Sequence, residues 1–328
     1  MKGPDIVYSD EASAEQSISR LEHFPVSFFG ASMGVLGLGL ALRASGFHGL
    51  SYGVGIVAAL VLVALLGVTL LKAIRYPAAM VEEWNHPVRL AFFPAISISI
   101  LLFATLIRET HPQTAHILWS VGALAQAILT IVVISAWISH RAFVTAQLSP
   151  AWFIPAVGNV IVPLAGVPLG YIEISWYFLS VGILFWIILA TLVFNRLIFH
   201  DPLPGKLRPT LVILIAPPAV AFLAWLQLNG GELDALARVL INCGYFFLAL
   251  VAVQGPALLK LPFALSFWAL SFPMAAITTA SFRFADLSGS AFHEMLGFAL
   301  LGLLCLIIIA LTARTVRAMM REEICVPE

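Results

Sequence analysis

Ten stretches of the chain are almost continuously apolar: 25–42, 50–71, 88–107, 117–138, 151–169, 172–195, 209–228, 235–257, 262–282 and 290–313. Each approaches the roughly 20 residues that a helix needs to cross a ~30 Å hydrocarbon core. A membrane barrel would instead alternate apolar and polar residues in strands of about ten. The pattern predicts an all-α polytopic membrane protein of ten transmembrane helices, and an even number puts both ends on one side. The fifth and ninth blocks are the most interrupted, by Pro155, Pro163 and Pro168 and by Pro262 and Pro273.

The blocks repeat in pairs. Five odd-numbered blocks open with an X-Pro step, at Pro25, Pro87, Pro150, Pro209 and Pro262, with intervals of 62, 63, 59 and 53 residues. Proline is tolerated at the first helical position, where its missing N–H would have no partner anyway. Each unit therefore reads as a helical hairpin. The odd helices carry breakers, among them Gly34, Pro94, Pro155, Pro217 and Pro273, whereas the even ones are smoother and rich in Leu, Ile and Val. An interrupted helix is tolerated in a membrane where protein or a water-filled cavity surrounds it. The expectation is an inner ring of five bent odd helices around a central passage, with the even helices facing lipid.

Composition narrows the class. The chain of 328 residues is 61% hydrophobic and 10% charged, against roughly 45–50% and 25% in soluble domains. With 17 basic and 17 acidic residues the formal net charge is zero, so no basic field exists to hold nucleic acid. The first 24 residues carry five acids and lack the basic start and apolar core of a cleavable leader, so the tail is expected to be retained. Of the 17 Lys and Arg, 13 fall in segments on the side of the termini (Lys2, Arg89 and Arg141 among them) and four, Arg43, Arg108, Arg238 and Arg283, on the other. Positively charged loops stay cytoplasmic. This predicts a multi-pass protein of the bacterial inner membrane with both termini cytoplasmic.

Ionisable residues at membrane depth usually mark proton or ion coupling, and the blocks hold almost none, which favours passive conduction. Interrupted helices expose backbone N–H groups, and hydroxyl or amide side chains on odd helices can supplement them. The pore-lining candidates are Ser32, Gly34, Pro94, Ser97, Asn159, Pro217, Ser271 and Thr278, with Arg89 as part of a cytoplasmic vestibule for anions. Each hydroxyl has the alternative of bonding to its own helix carbonyl. Cys243, Cys305 and Cys325 lie far apart, the eight histidines sit mainly at loops or helix ends, and no glycine-rich phosphate loop precedes a Lys-Ser/Thr. No enzymatic activity, metal or cofactor is expected.

Five segments carry a resemblance: FPVSFFGASMGVLGLGLAL at 24–42, HPVRLAFFPAIS at 86–97, SPAWFIPAVGN at 149–159, RPTLVILIAPPAVAFLAW at 208–225 and LSFWALSFPMAAITTAS at 265–281. Together they resemble the tellurite-resistance/dicarboxylate transporter family, which includes bacterial TehA and the plant slow anion channels. The resemblance implies a homotrimer of independent pores, each of five helical hairpins in quasi-fivefold arrangement with the odd helices lining the channel. It sets a membrane domain at 24–315, with repeats near 24–85, 86–148, 149–207, 208–260 and 261–315, between cytoplasmic tails 1–23 and 316–328. A phenylalanine in a W-x-x-S-F-like motif plugs the family's pore, and here the motif runs from Trp268 to Phe272. The implied function is a gated passive channel for small anions such as chloride and nitrate, with Phe272 as gate. The alternative is a coupled carrier for C4-dicarboxylates such as malate, sulfite or tellurite-type oxyanions.

Overall fold

A computed structural model describes residues 19–139 and 143–326. Most of the N-terminal tail, including Lys2, lies outside the described residues, as do His140, Arg141 and the last two positions. Eleven helices follow one another: α1 (Val26–Ala44), α2 (His48–Arg75), α3 (Pro77–Asn85), α4 (Arg89–Ile107), α5 (Pro112–Ser139), α6 (Pro150–Gly166), α7 (Ile172–Phe199), α8 (Arg208–Leu228), α9 (Ala235–Leu259), α10 (Leu265–Ser288) and α11 (Ala291–Met320). Among the described residues there is no strand. Nine of these helices have the length and apolarity to cross a membrane. The short α3 was not expected from the sequence, and α6 is broken into several helical pieces.

The division into two kinds of helix is visible in burial. In the most apolar stretches of α1, α4, α8 and α10, 67–72% of residues are buried, against 11–33% in α2, α5, α7, α9 and α11. In α6 all residues but Trp152 and Ile154 are buried. Contacts give the order. α1 packs on α4, α4 on α6, α6 on α8, α8 on α10, and α10 closes the ring on α1. Each outer helix lies on its own hairpin partner and on the next inner helix: α2 on α1 and α4, α5 on α4 and α6, α7 on α6 and α8, α9 on α8 and α10, α11 on α10 and α1.

All five inner helices begin as a 3-10 helix: Val26–Phe28, Arg89–Phe92, Pro150–Trp152, Arg208–Ile215 and Leu265–Leu270. These five segments touch one another in the same cyclic order and form a collar. The prolines sit differently from the sequence expectation. Pro94 is the N-cap of the α-helical part of α4, Pro217 and Pro218 lie in its first turn in α8, and Pro273 in its first turn in α10. They mark the 3-10 to α junction and remove no interior hydrogen bond there. The 3-10 form also lengthens a helix, rising about 2.0 Å per residue instead of 1.5 Å. With two 3-10 pieces, the 17 residues of α6 span about 29 Å, enough for a ~30 Å core.

The collar lies on the face where the chain ends meet, here the terminal face. Arg20 pairs with Glu322 and its Nη1 donates to the Met319 carbonyl at 3.4 Å. The opposite, distal face carries the hairpin turns, where Gly46 and Gly289 adopt φ of +84° and +66°, a region costly for any residue with a Cβ.

Candidate functional site

Two cavities lie along the axis of the inner ring, and every inner helix contributes to each. The one inside the collar is small, about 70 Å³, with an almost wholly apolar wall that includes Met33, Ile98, Phe153, Ile213 and Ala269. The distal one is about 430 Å³ and is walled by the C-terminal ends of the inner helices. Phe272 and Val220 belong to both walls. Phe272 is half-buried between two buried neighbours, Ser271 and Pro273, and borders both cavities.

Local packing fixes the backbone that carries the Phe272 ring. Ser271 is the first residue of the α-helical part of α10 and donates to the Trp268 carbonyl at 2.6 Å. Trp268 Nε1 donates to Thr315 Oγ1 of α11 at 2.9 Å, which ties the collar end of α10 to the outer layer. On the other side α1 offers Gly30, Gly34 and Gly37, one helical face by their spacing. A Cβ on Gly34 would stand 2.5 Å from Ser271 Cβ, and one on Gly37 would stand 2.7 Å from Ala275 Cβ and 3.5 Å from Phe272 Cδ2. The glycines thus let α10 approach closely enough for Phe272 to reach the axis.

The distal cavity has the opposite chemistry. Arg43, Arg108, Arg283, Asp286, Gln227, Thr105 and Thr279 are on its wall. Arg43 donates to the carbonyls of Leu106 (2.9 Å) and Thr105 (3.1 Å), and Arg108 to that of Leu164 (2.8 Å). Glu109 lies 3.9 Å from Arg43 and 3.3 Å from Arg108 and is itself largely exposed. Burial holds the Arg108 guanidinium below its ordinary pKa, Glu109 opposes this, and the charge of Arg283 adds to the lowering. Three cations are therefore gathered at the distal end of an apolar axis.

A family model described as voltage-dependent anion channel (SLAC1) matches residues 23–316, the whole ring. The chain belongs to the SLAC1 family. It is 26% identical over 308 residues to the S-type anion channel SLAH3 of Arabidopsis thaliana, covering 90% of this chain and 48% of the relative. It is 26% identical over 270 residues to the tellurite resistance protein TehA homolog of Haemophilus influenzae, covering 79% and 81%. The guard cell S-type anion channel SLAC1 of Arabidopsis thaliana matches at 25% over 285 residues, 81% and 50%. The chain thus spans about half the length of these two plant relatives.

Within this SLAC1-family ring the residues singled out from sequence divide sharply. Phe272 and Pro217 stand on the collar-cavity wall. Ser32, Ser97, Ser271 and Thr278 are fully buried and Asn159 is 2% exposed, so none presents a surface to the passage. Ser271 and Thr278 bond to their own helix at the Trp268 and Met274 carbonyls. Ser97 Oγ lies 2.8 Å from the Pro94 carbonyl and 2.7 Å from Gln126 Oε1 of α5, two acceptors that share its one proton. Asn159 Nδ2 donates to the Ala156 carbonyl and to Thr130 of α5, while Gln126 and Thr130 supply the Pro155 carbonyl. These side chains satisfy broken inner helices from behind, where apolar surroundings make an unpaired carbonyl costly. Gly34 serves packing against Ser271, Pro94 is a buried N-cap, and Arg89 stands half-buried at the start of α4 on the terminal face, outside both cavity walls. The distal arginines were counted only as loop charges in the sequence. Their shared signal is position: Arg43, Arg108 and Arg283 all fall at or near the C-terminal end of an inner helix.

Proposed function

We propose that this chain is a gated passive anion channel with Phe272 as its plug. The observation that carries the reading is the position of Phe272 on the walls of both axial cavities. An apolar ring between a dry narrow cavity and a charged wider one excludes water and hence hydrated ions, a barrier that moves with one side-chain torsion. Among the described residues that wall the collar cavity none is a carboxylate or histidine, which favours passive conduction over proton coupling.

The same reading has ten crossings in quasi-fivefold arrangement. It is supported by the cyclic packing of inner and outer helices and by the contact between the chain ends, which requires an even number of crossings. The excess of Lys and Arg on the terminal side supports cytoplasmic termini in a bacterial inner membrane, and the family resemblance supports a homotrimer. Small anions such as chloride and nitrate are the expected cargo.

The test is electrical. Phe272→Ala, recorded in planar bilayers with symmetric chloride, should raise the current at least about tenfold over the unmodified chain, the change that removal of ~1.4 kcal/mol of barrier produces. Unchanged current would remove Phe272 from the gate. A coupled carrier of dicarboxylate, sulfite or tellurite would instead show uptake abolished by a proton uncoupler and no current in either protein.

A further inference from the structure

The distal cavity has more charge than an entrance for chloride requires. Arg43, Arg108 and Arg283 converge from three inner helices that are 65 and 175 residues apart in the chain. Among the described residues Asp286 is the one carboxylate on this wall, and with Glu109 beside Arg43 and Arg108 just outside it three arginines face two acids, an excess of one positive charge. Arg43 and Arg108 are oriented by backbone carbonyls, and each retains further N–H donors. Arg283 forms no ion pair or hydrogen bond among the described residues. Guanidinium groups present planar forks that suit oxyanions, whose oxygens accept two donors at once. Thr105, Thr279 and Gln227 add neutral donors around the same space.

On the other side of Phe272 the cavity is about one-sixth the volume and offers almost no polar partner. The cost of removing an ion from water rises with the square of its charge, so a divalent anion that the distal cavity accepts is opposed about four times as strongly as a monovalent one at the collar. We infer that the distal cavity is a binding site for divalent tetrahedral oxyanions, which lodge there and block monovalent anion flow from the distal face. The blocking half of this inference rests on the channel reading above, whereas the binding half does not.

Sulfate is the probe. In single insertions of Phe272→Ala carrying chloride current, sulfate added at constant ionic strength should block from one face only. Arg283→Gln in that background should weaken the block about tenfold, the value of one hydrogen bond between charged groups. Asp286→Asn, which removes the opposing charge, should strengthen it roughly threefold. Equal block from both faces, or a block that Arg283→Gln leaves unchanged, overturns the site while the chloride current keeps the channel reading intact. If no current is seen in any variant the channel reading fails, and binding decides the site: sulfate should raise the melting temperature of the detergent-solubilised wild-type chain and not that of Arg283→Gln. An equal shift in both, or none in either, overturns it.

Discussion

Lys72 and Glu83 form a buried ion pair that closes the terminal end of α1, and its removal has a calculable effect. Lys72 Nζ lies 2.6 Å from Glu83 Oε2 and donates to the Phe24 carbonyl at 2.8 Å, while Glu83 Oε1 accepts the Val26 N–H at 2.7 Å. The two side chains are 4% and 3% exposed, so solvent screens the pair little. Removing one partner leaves the other charge buried and uncompensated, about 3–5 kcal/mol. Lys72→Met and Glu83→Ala should each cost that much. Glu83→Gln retains an acceptor for Val26 but loses the charge, and should cost roughly 1.5–3 kcal/mol. In the double variant Lys72→Met/Glu83→Ala no charge is stranded, so the loss should fall short of the sum of the single losses by about 2 kcal/mol or more. Denaturation in detergent followed by tryptophan fluorescence, set out as a double-mutant cycle, measures this. Additivity within about 0.5 kcal/mol would refute the reasoning, because two groups that strand one another cannot be independent.

Three further outcomes are expected. Gly34→Ala places a methyl group 2.5 Å from Ser271 Cβ and should destabilise by roughly 1–3 kcal/mol; adding Ser271→Gly should recover part of this in the same melt, and no recovery would place the strain elsewhere. Asn159→Ala should cost about 1–3 kcal/mol through the Ala156 carbonyl and Thr130 yet leave the chloride-to-nitrate permeability ratio of the Phe272→Ala protein unaltered; a changed ratio would put Asn159 in the passage. The Asp234 carboxyl is held below its ordinary pKa chiefly by the Ala237 N–H it caps, with Trp225 Nε1 also donating to it. A depressed carboxylate stabilises the fold above its unfolded pKa of about 3.9 and loses that contribution as pH falls through the folded value. Melting curves taken down through this acid range should therefore fall more steeply for the wild type than for Asp234→Asn, which keeps the cap without titrating; parallel curves would show that the cap carries no pH dependence.

The membrane class and the two kinds of helix were legible because both depend on local properties. Uninterrupted apolar length shows in a window of residues, and proline concentrates in the helices that end up buried. The 3-10 collar was not legible. Pro94, Pro217 and Pro273 were read as mid-helix bends because sequence shows where a proline is but not whether an α-helix has yet begun. The Lys72–Glu83 pair was hidden for another reason: α3 is short and ordinary in composition, and only its return against α1 buries Glu83.

The site divides along the same line. Phe272 was reached through a motif, and the structure adds the packing around it, in Trp268, Ser271 and the glycines of α1. Ser97, Ser271 and Thr278 lie off the cavity walls because a serine or threonine in a helix satisfies itself on the preceding turn, Asn159 is drawn outward by Thr130, and Ser32 is buried with its hydroxyl unpaired. What the passage has instead is a polarity gradient, and that has a consequence for flow. An anion held by three guanidiniums would leave slowly, and conduction needs binding weak enough to release. Here the carbonyls of Thr105, Leu106 and Leu164 occupy donors of Arg43 and Arg108, Glu109 offsets part of their charge, and Asp286 shares the wall with Arg283. In the proposed site a monovalent anion would meet a partly neutralised field, while a doubly charged one would still gain enough to stay. On the proposed channel reading, the same residues would gather one class of anion and retain the other, with the apolar collar behind Phe272 deciding which proceeds.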